Sequence, residues 1–431
     1  MFLASCSSDD DSKGGPEPVA YRRSLIIYMA AQNSLGYGDD EYYSASAIDS
    51  MDIYKGVGRT PDTSDNIFLF IDDDRLPRLY RLYRQGGRSQ LRTMISKVFT
   101  WPNDVCSTDP ATLHEVLSYV GTNYPSQSYG LVMWSHGSGW QLSNNVQNTL
   151  KKTTVRSFGV DVGEGGDMES DTDKDDKMGV QMDIADMATA IARSGIYLDY
   201  IFFDACDMQG IEVAYELKDV TSYVIGSATV TSGYGAYYTN FIPEALMASY
   251  PISDENAIKI AYSYYYDTVE NEKLQKYYDG IGNVNSVIKT SQLENLAAVT
   301  GQYISKAIKG RQSPDMSGVQ RYSDSEVFYS PDQFDMGSAL YRLFGDADYA
   351  TWRAEADKCI IAHNASSKYM LYIDDIQEEY ATLDDPDHVV GVSMFVPQDL
   401  FDSPSYKNFP FNKQFRSTAW YKAANWAATG W

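Results

Sequence analysis

The sequence predicts an α/β protein in which a mainly parallel sheet carries helices on both faces. From Ser24 onward, short apolar runs alternate with segments of helical period, the order that strand-helix-strand units produce. Two of the runs, 129–135 and 199–204, break off at once into small or polar residues, as buried strands do at a sheet edge.

In chain order the pattern reads strand 24–30, strand 66–72, a polar ribbon over 78–99, helix 110–121, strand 129–135, helix 183–194, strand 199–204, helix 209–218 and strand 222–227. Asp109 is the expected cap of the helix at 110, with Pro110 in its first turn. Residues 252–385 are more helical: Ser253 caps 254–268, a second amphipathic helix spans 292–309, and a strand-like piece at 283–288 lies between them. Residues 141–181 hold few large apolar residues and read as a long exposed loop. There is no internal repeat.

Length and composition narrow the function. A chain of 431 residues suits one large α/β domain with an added subdomain, or two domains, and 43% apolar residues support a substantial core. A net charge of −24 argues against nucleic acid and anionic membrane surfaces as partners. No apolar run reaches the roughly 20 residues that span a bilayer. Four cysteines in so long a chain do not make a disulfide scaffold.

The two abrupt strand ends carry the chemistry. The first delivers His136 followed by Gly137, and the second delivers Asp204, Ala205 and Cys206. Carboxyl ends of neighbouring strands in an open α/β sheet share one crevice, so His136 and Cys206 are expected to face each other. An imidazole can take the thiol proton and later return a proton to a leaving amine, while the thiolate attacks carbonyl carbon. The N–H groups of Gly137 and Cys206 are the expected oxyanion donors. Taken singly, a cysteine after an apolar strand is a small core residue and a histidine there is merely hydrogen-bonded. The pairing raises them above that reading.

An apolar strand with His-Gly, then an apolar strand with Asp-Ala-Cys, resembles the signature of the caspase-like clan of cysteine peptidases, and within it the clostripain (C11) family. SLIIYMAAQNSL at 24–35 resembles the first strand and turn of that family, IEVAYELKD at 211–219 the helix after the nucleophile, and GVSMFVP at 391–397 a late core strand. The resemblance implies a caspase-like α/β/α sandwich with a helical C-terminal subdomain. It makes His136 and Cys206 the catalytic dyad of an endopeptidase acting on polypeptides, with no cofactor required. Asp204 becomes a wall of the pocket for a basic residue, giving cleavage after Arg or Lys.

Where the family carries Pro-Gly-Asp-Gly-Trp, this chain reads Ser-Gly-Tyr-Gly-Ala, so Tyr234 replaces the second acidic wall and the pocket segment from Thr229 to Tyr234 is altered. With one acid lost and an aromatic face gained, the expectation is Arg over Lys, with weaker selection overall. Family members resemble zymogens that cut themselves between histidine and cysteine. Lys151, Lys152 and Arg156 are the nearest candidates here. Asp171-Thr172-Asp173-Lys174-Asp175 begins as an EF-hand loop does, but Asp176 stands where Gly is needed and Met182 where Glu is. Those departures favour a solvated acidic loop over a calcium site.

Leu3-Ala4-Ser5-Cys6 resembles a lipobox, although only five residues precede Cys6. The acidic tether after it resembles the export signal of Bacteroidetes surface lipoproteins, which implies a lipid anchor at Cys6 in the bacterial outer membrane, facing the cell surface. The expected organisation is therefore a tether (1–20), a catalytic core (21–250), a helical subdomain (251–385), and a returning core strand with an aromatic tail (386–431). Cys359 and His363 stand four apart on an expected helix, where a shared apolar stripe favours packing over metal binding. His114 and His388 read as surface helix and loop positions. The aromatic tail either docks on its own domain or grips glycan or peptide, as a non-catalytic surface lipoprotein on the same scaffold would do. Docking is favoured.

Overall fold

The first strand sets the architecture. β1 (Tyr21–Ala30) is buried from Arg23 to its end, so both of its faces need cover. Ile26, Tyr28 and Ala30 enter one apolar cluster, while Leu25, Ile27 and Met29 enter another on the opposite face. The protein is described here from a computed structural model, over residues 21–38, 43–60, 64–86, 91–141, 157–247, 251–278, 280–323, 332–373, 378–406 and 409–431. Cys6, Lys151, Lys152 and Arg156 lie outside the described residues.

The other strands are β2 (Asp65–Asp72), β3 (Arg78–Gln85), β4 (Arg92–Thr100), β5 (Ser126–Trp134), β6 (Phe158–Asp161), β7 (Val180–Met182), β8 (Leu198–Asp204), β9 (Thr221–Ser227), β10 (Val284–Lys289), β11 (Gln333–Asp335), β12 (Ile360–Ala365), β13 (Lys368–Ile373), β14 (Glu378–Thr382) and β15 (Ser393–Phe395). One nine-stranded sheet runs in the order β12-β10-β9-β8-β5-β1-β2-β3-β4. Its five central strands are parallel. The outer two on each side pair antiparallel.

Helices cover both faces, completing the expected α/β/α sandwich. α1 (Ala45–Arg59), with the short helix Tyr238–Phe241 and the helix Asp254–Tyr265, closes one face. α2 (Pro110–Asn123), α3 (Ile184–Ser194), α4 (Ile211–Leu217) and the helices Leu293–Ala307, Met336–Phe344 and Asp346–Cys359 close the other. Asp109 caps α2 as expected, its side chain accepting from the N–H of Ala111.

Three expectations change. Residues 251–385 do not form a separate helical body, because β10 and β12 extend the main sheet. The late strand β15 pairs with β11 in a small sheet of its own and touches the core through a bridge between Gly210 and Ser393. His363 lies on β12 rather than on the helix that ends at Cys359, so the two do not share a helix face. Cys359 is fully buried, and its thiol meets the carbonyl of Lys289.

The aromatic tail docks as expected. Phe401, Tyr406, Phe409, Phe411, Phe415, Trp420, Tyr421, Trp426 and Trp431 are all buried in the cluster beneath α4 and Leu293–Ala307. They present no aromatic surface for glycan. Among the described residues, no helix is long and apolar enough to cross a membrane.

Candidate active site

β1, β5 and β8 are sheet neighbours, and each delivers a polar side chain just past its carboxyl end: Ser34, His136 and Cys206. Trp134 is the register partner of Asp204, so His136 and Cys206 each stand two residues beyond a shared rung. Adjacent strands run roughly 4.8 Å apart. Chain order leaves β1 towards β2 on one side and resumes at β5 on the other, so this is also the switch point where an open α/β sheet forms its crevice.

The two turns press together. A Cβ on Gly137 would stand 2.5 Å from the carbonyl oxygen of Cys206 and 2.8 Å from Cγ of Met208, so only glycine fits between His136 and the cysteine turn. Asp207, directly after the cysteine, has φ 59, a sharp reversal that lifts Cys206 out of the strand. The Cys206 thiol accepts the N–H of Thr231 at 3.3 Å and lies 3.6 Å from its hydroxyl. A donor aimed at sulfur favours the thiolate.

His136 is held from a direction the sequence did not reveal. Its Nε2 lies 2.9 Å from Ser34 Oγ and 3.5 Å from Asp171 Oδ2. The same Asp171 accepts the N–H of Ser34 at 2.7 Å and its hydroxyl at 3.3 Å. Carboxylate, hydroxyl and imidazole form one connected group.

Asp171 belongs to the stretch 141–181 expected to be an exposed loop; most of 163–178 is exposed as expected, while residues 157–162 and Asp171 are buried, which corrects the expectation there. β6 is fully buried, and Phe158 bridges Gly137. Asp161 accepts the N–H and the hydroxyl of Ser107, and Val162 donates to the carbonyl of Gln32. The segment is therefore lashed across the carboxyl edge of the sheet. The EF-hand resemblance is not realised in the geometry, since Asp171 turns to His136 while Asp173 accepts the N–H groups of Asp175 and Lys177 in a turn of its own. Among the described residues, no group of three or more His, Cys, Asp or Glu is arranged to hold a metal ion.

Asp204 points to the opposite face from Phe203, above Phe202, and is 4% exposed. Its Oδ2 accepts the N–H of Ala236 at 2.9 Å and the hydroxyl of Tyr238 at 2.7 Å, while its Oδ1 has no hydrogen-bond partner. Burial pushes its carboxyl up to about 6, against the pull of those two donors. Thr229 does not line this pocket. It is fully buried, its hydroxyl bonded to Ser227 Oγ and accepting from the N–H of Val284, so it ties the loop to β10. Tyr234 is 42% exposed and meets Tyr277 edge to face, with ring centroids 6.3 Å apart.

Among the described residues, the other histidines and cysteines stand apart from this site. Cys106 meets Thr108 Oγ1, and burial pushes its thiol up to about 12, an unreactive state. His388 stacks on Tyr341 and is bonded to Asp385; His114 meets Ser118 on α2.

A cysteine and a histidine just past the ends of adjacent parallel strands of an α/β/α sandwich are the arrangement expected of a cysteine hydrolase. The profile of the clostripain family, peptidase family C11, matches residues 27–431, and the chain belongs to that family of cysteine-type peptidases. A search among curated proteins returned no match. Among solved structures, the chain is similar to a secreted C11 cysteine protease from Bacteroides thetaiotaomicron bound to an irreversible peptide inhibitor, at 24% identity and a TM-score of 0.72, covering 94% of this chain and 99% of that one. It is also similar to an inactive zymogen C11 protease from Parabacteroides distasonis, at 22% identity and a TM-score of 0.69, with 94% and 99% coverage. These likenesses establish the fold.

Proposed function

We propose that the chain is an endopeptidase in which Cys206 attacks the scissile carbonyl and His136 serves as general base, then as general acid to the leaving amine. The observation that carries this reading is the pressed contact between the Gly137 and Cys206 turns, with a donor on the sulfur and a carboxylate behind the imidazole. With Nε2 turned to Ser34 and Asp171, Nδ1 is the ring nitrogen that exchanges a proton with the thiol. Gly137 and Cys206 supply the oxyanion N–H groups. The ladder bonds beside Gly137 run through the carbonyl of His136 and the N–H of Ser138, which leaves the Gly137 N–H unspent on them.

The substrate is a polypeptide cut after a basic residue, Arg over Lys, with Asp204 meeting the cation. No cofactor enters this chemistry. The family relationship and a zymogen neighbour favour self-cleavage at Lys151, Lys152 or Arg156, and a secreted neighbour together with the Cys6 motif favours an extracytoplasmic, lipid-anchored protein on the bacterial outer membrane. The test of the reading is labelling by a peptidyl acyloxymethyl ketone with an Arg next to the warhead, followed by peptide mapping. The adduct is expected on Cys206 and lost in His136→Ala. An adduct on Cys106 or Cys359 instead would overturn the assignment.

A further inference from the structure

β8 lies between β5 and β9, so Cys206 has His136 at the end of one neighbouring strand and the segment after Ser227 at the end of the other. That segment is tied to the cysteine turn through the main chain. The N–H of Asp207 donates to the carbonyl of Thr229 at 3.2 Å, and the N–H of Gln209 donates to that of Ser227 at 2.9 Å. Thr231, a little further on, therefore meets the sulfur in a fixed register.

All of the polar groups of Thr231 turn to that sulfur. Its N–H donates to Sγ at 3.3 Å, its hydroxyl oxygen lies 3.6 Å from Sγ, and its carbonyl oxygen lies 3.8 Å away, placed to accept from the thiol. The set suits both charge states of cysteine. While the thiol holds its proton, S–H points to the carbonyl; once the S–H bond has broken, with the proton on His136 and the electron pair on sulfur, N–H and hydroxyl both donate to the thiolate. Behind Thr231 stands Tyr264, on the helix Asp254–Tyr265 and 2% exposed. Burial above all, with Asp204, Tyr278 and Cys206 adding to it, keeps the Tyr264 hydroxyl protonated, while hydrogen bonding with the Thr231 side chain works in the other direction. A neutral phenol there can donate to Thr231 Oγ1 and leave the threonine proton for the sulfur.

Resting on the endopeptidase reading above, we propose that Thr231 is a third catalytic residue, whose side-chain hydroxyl joins its own N–H in stabilising the Cys206 thiolate, with Tyr264 as the positioning residue behind it. Asp171, Ser34 and His136 act on the proton that leaves; Thr231 acts on the sulfur that remains. The titratable groups around that sulfur are His136 from β5, Asp204 and Asp207 from its own strand and turn, and Tyr264 from the helix. Burial pushes Asp204 up to about 6 and Asp207 up to about 8, so each pH is compared between parent and variant.

The test follows alkylation of Cys206 by iodoacetamide from pH 5 to pH 9, read by mass spectrometry on the peptide that carries it. Thr231→Val and Thr231→Ala keep the N–H and the carbonyl and lose only the hydroxyl. Both are expected to slow alkylation on the acid limb by about 3- to 10-fold, with the plateau at high pH within about twofold of the parent, because the ionised fraction changes and access does not. Thr231→Ser should restore the parent profile, and Tyr264→Phe should move it in the same direction by less. A rate lowered equally at every pH would make Thr231 a structural residue and overturn the proposal. Profiles of Thr231→Val and Thr231→Ala that overlay the parent would overturn it too, and the endopeptidase reading would still stand, since that is judged by the acyloxymethyl ketone adduct on Cys206.

Discussion

Asp171 Oδ2 lies 3.5 Å from Nε2 of His136, and the hydroxyl of Ser34 sits between them, bonded to both. The relationship joins the end of β1, the end of β5 and the lashed segment after residue 157 into one support for the imidazole. In the proposed mechanism a carboxylate in that position would fix the tautomer and steady the imidazolium formed as the thiol gives up its proton.

Asp171 is accordingly a positioning residue. Asp171→Asn is expected to lower kcat by about 10- to 1,000-fold with KM nearly unchanged, because the substrate contacts remain while proton transfer is misdirected. Asp171→Glu should recover part of the loss. Steady-state kinetics alongside a melting curve checks this: a fall in thermal midpoint that accounts for all the lost activity would assign Asp171 to folding alone.

Neither Asp171 nor α1 was legible in the sequence, for the same physical reason. The inward face of α1 is built of Ser46, Asp49, Asp52, Ile53, Gly56 and Val57, and with only Ile53 and Val57 reaching the core cluster it holds too few large apolar residues to show helical periodicity. Asp171 sits in a run of acids that resembles a solvated loop, and its burial depends on Ser34 and on β6 lying against Gly137. By contrast β1, β5 and β8 were readable because strands buried on both faces leave unbroken apolar runs. The positions of His136 and Cys206 followed from where those runs stop. Sheet order and the antiparallel edge strands β10 and β12 were not readable, since long-range pairing leaves little local signal.

Replacing either reactive residue separates chemistry from folding. Cys206→Ala and His136→Ala are each expected to reduce turnover of an Arg peptide by at least about 100- to 10,000-fold, the range for a positioned proton transfer, with loss of the nucleophile costing more. Cys206 is only partly buried and its hydrogen bonds run to Thr231, so Cys206→Ala should fold normally. Near-parent turnover in either variant would refute the dyad.

Self-cleavage between Gln141 and Ser157 would cut between β5 and β6, yet the product chains should stay together. β5 is flanked by β1 and β8, and β6 is pinned through Ser107 and Gln32. The expected outcome is two bands on a denaturing gel from a single species on size exclusion, with Cys206→Ala remaining one band. Substituting Lys151, Lys152 and Arg156 together by Gln should also preserve one band. Full activity in an intact single chain would show that no cut is needed.

The carboxyl of Asp204 ties specificity to pH and to stability with opposite signs. Burial raises it from 3.8 to about 6, so the folded protein holds a proton that the unfolded chain has already released between those values. A raised carboxyl pKa costs stability as pH rises: the penalty is absent below pH 4, grows towards pH 6 and is complete above it, at about 3 kcal/mol for a shift of roughly two units. Asp204→Asn, which relieves that penalty, should be more stable than the parent at pH 8, with the difference closing near pH 4. Catalytic selection should run the other way, because only the carboxylate attracts Arg. The parent's ratio of kcat/KM for Arg to that for citrulline, its uncharged isostere, in otherwise identical peptides is expected to fall as pH drops through about 6, with Asp49 and the hydroxyls of Tyr238, Tyr264 and Tyr278 as the other titratable groups felt at this end of the sheet. In Asp204→Asn the ratio should be low and nearly flat over the same range. A parent ratio that held constant from pH 5 to pH 8 would show that Asp204 does not carry the charge recognition.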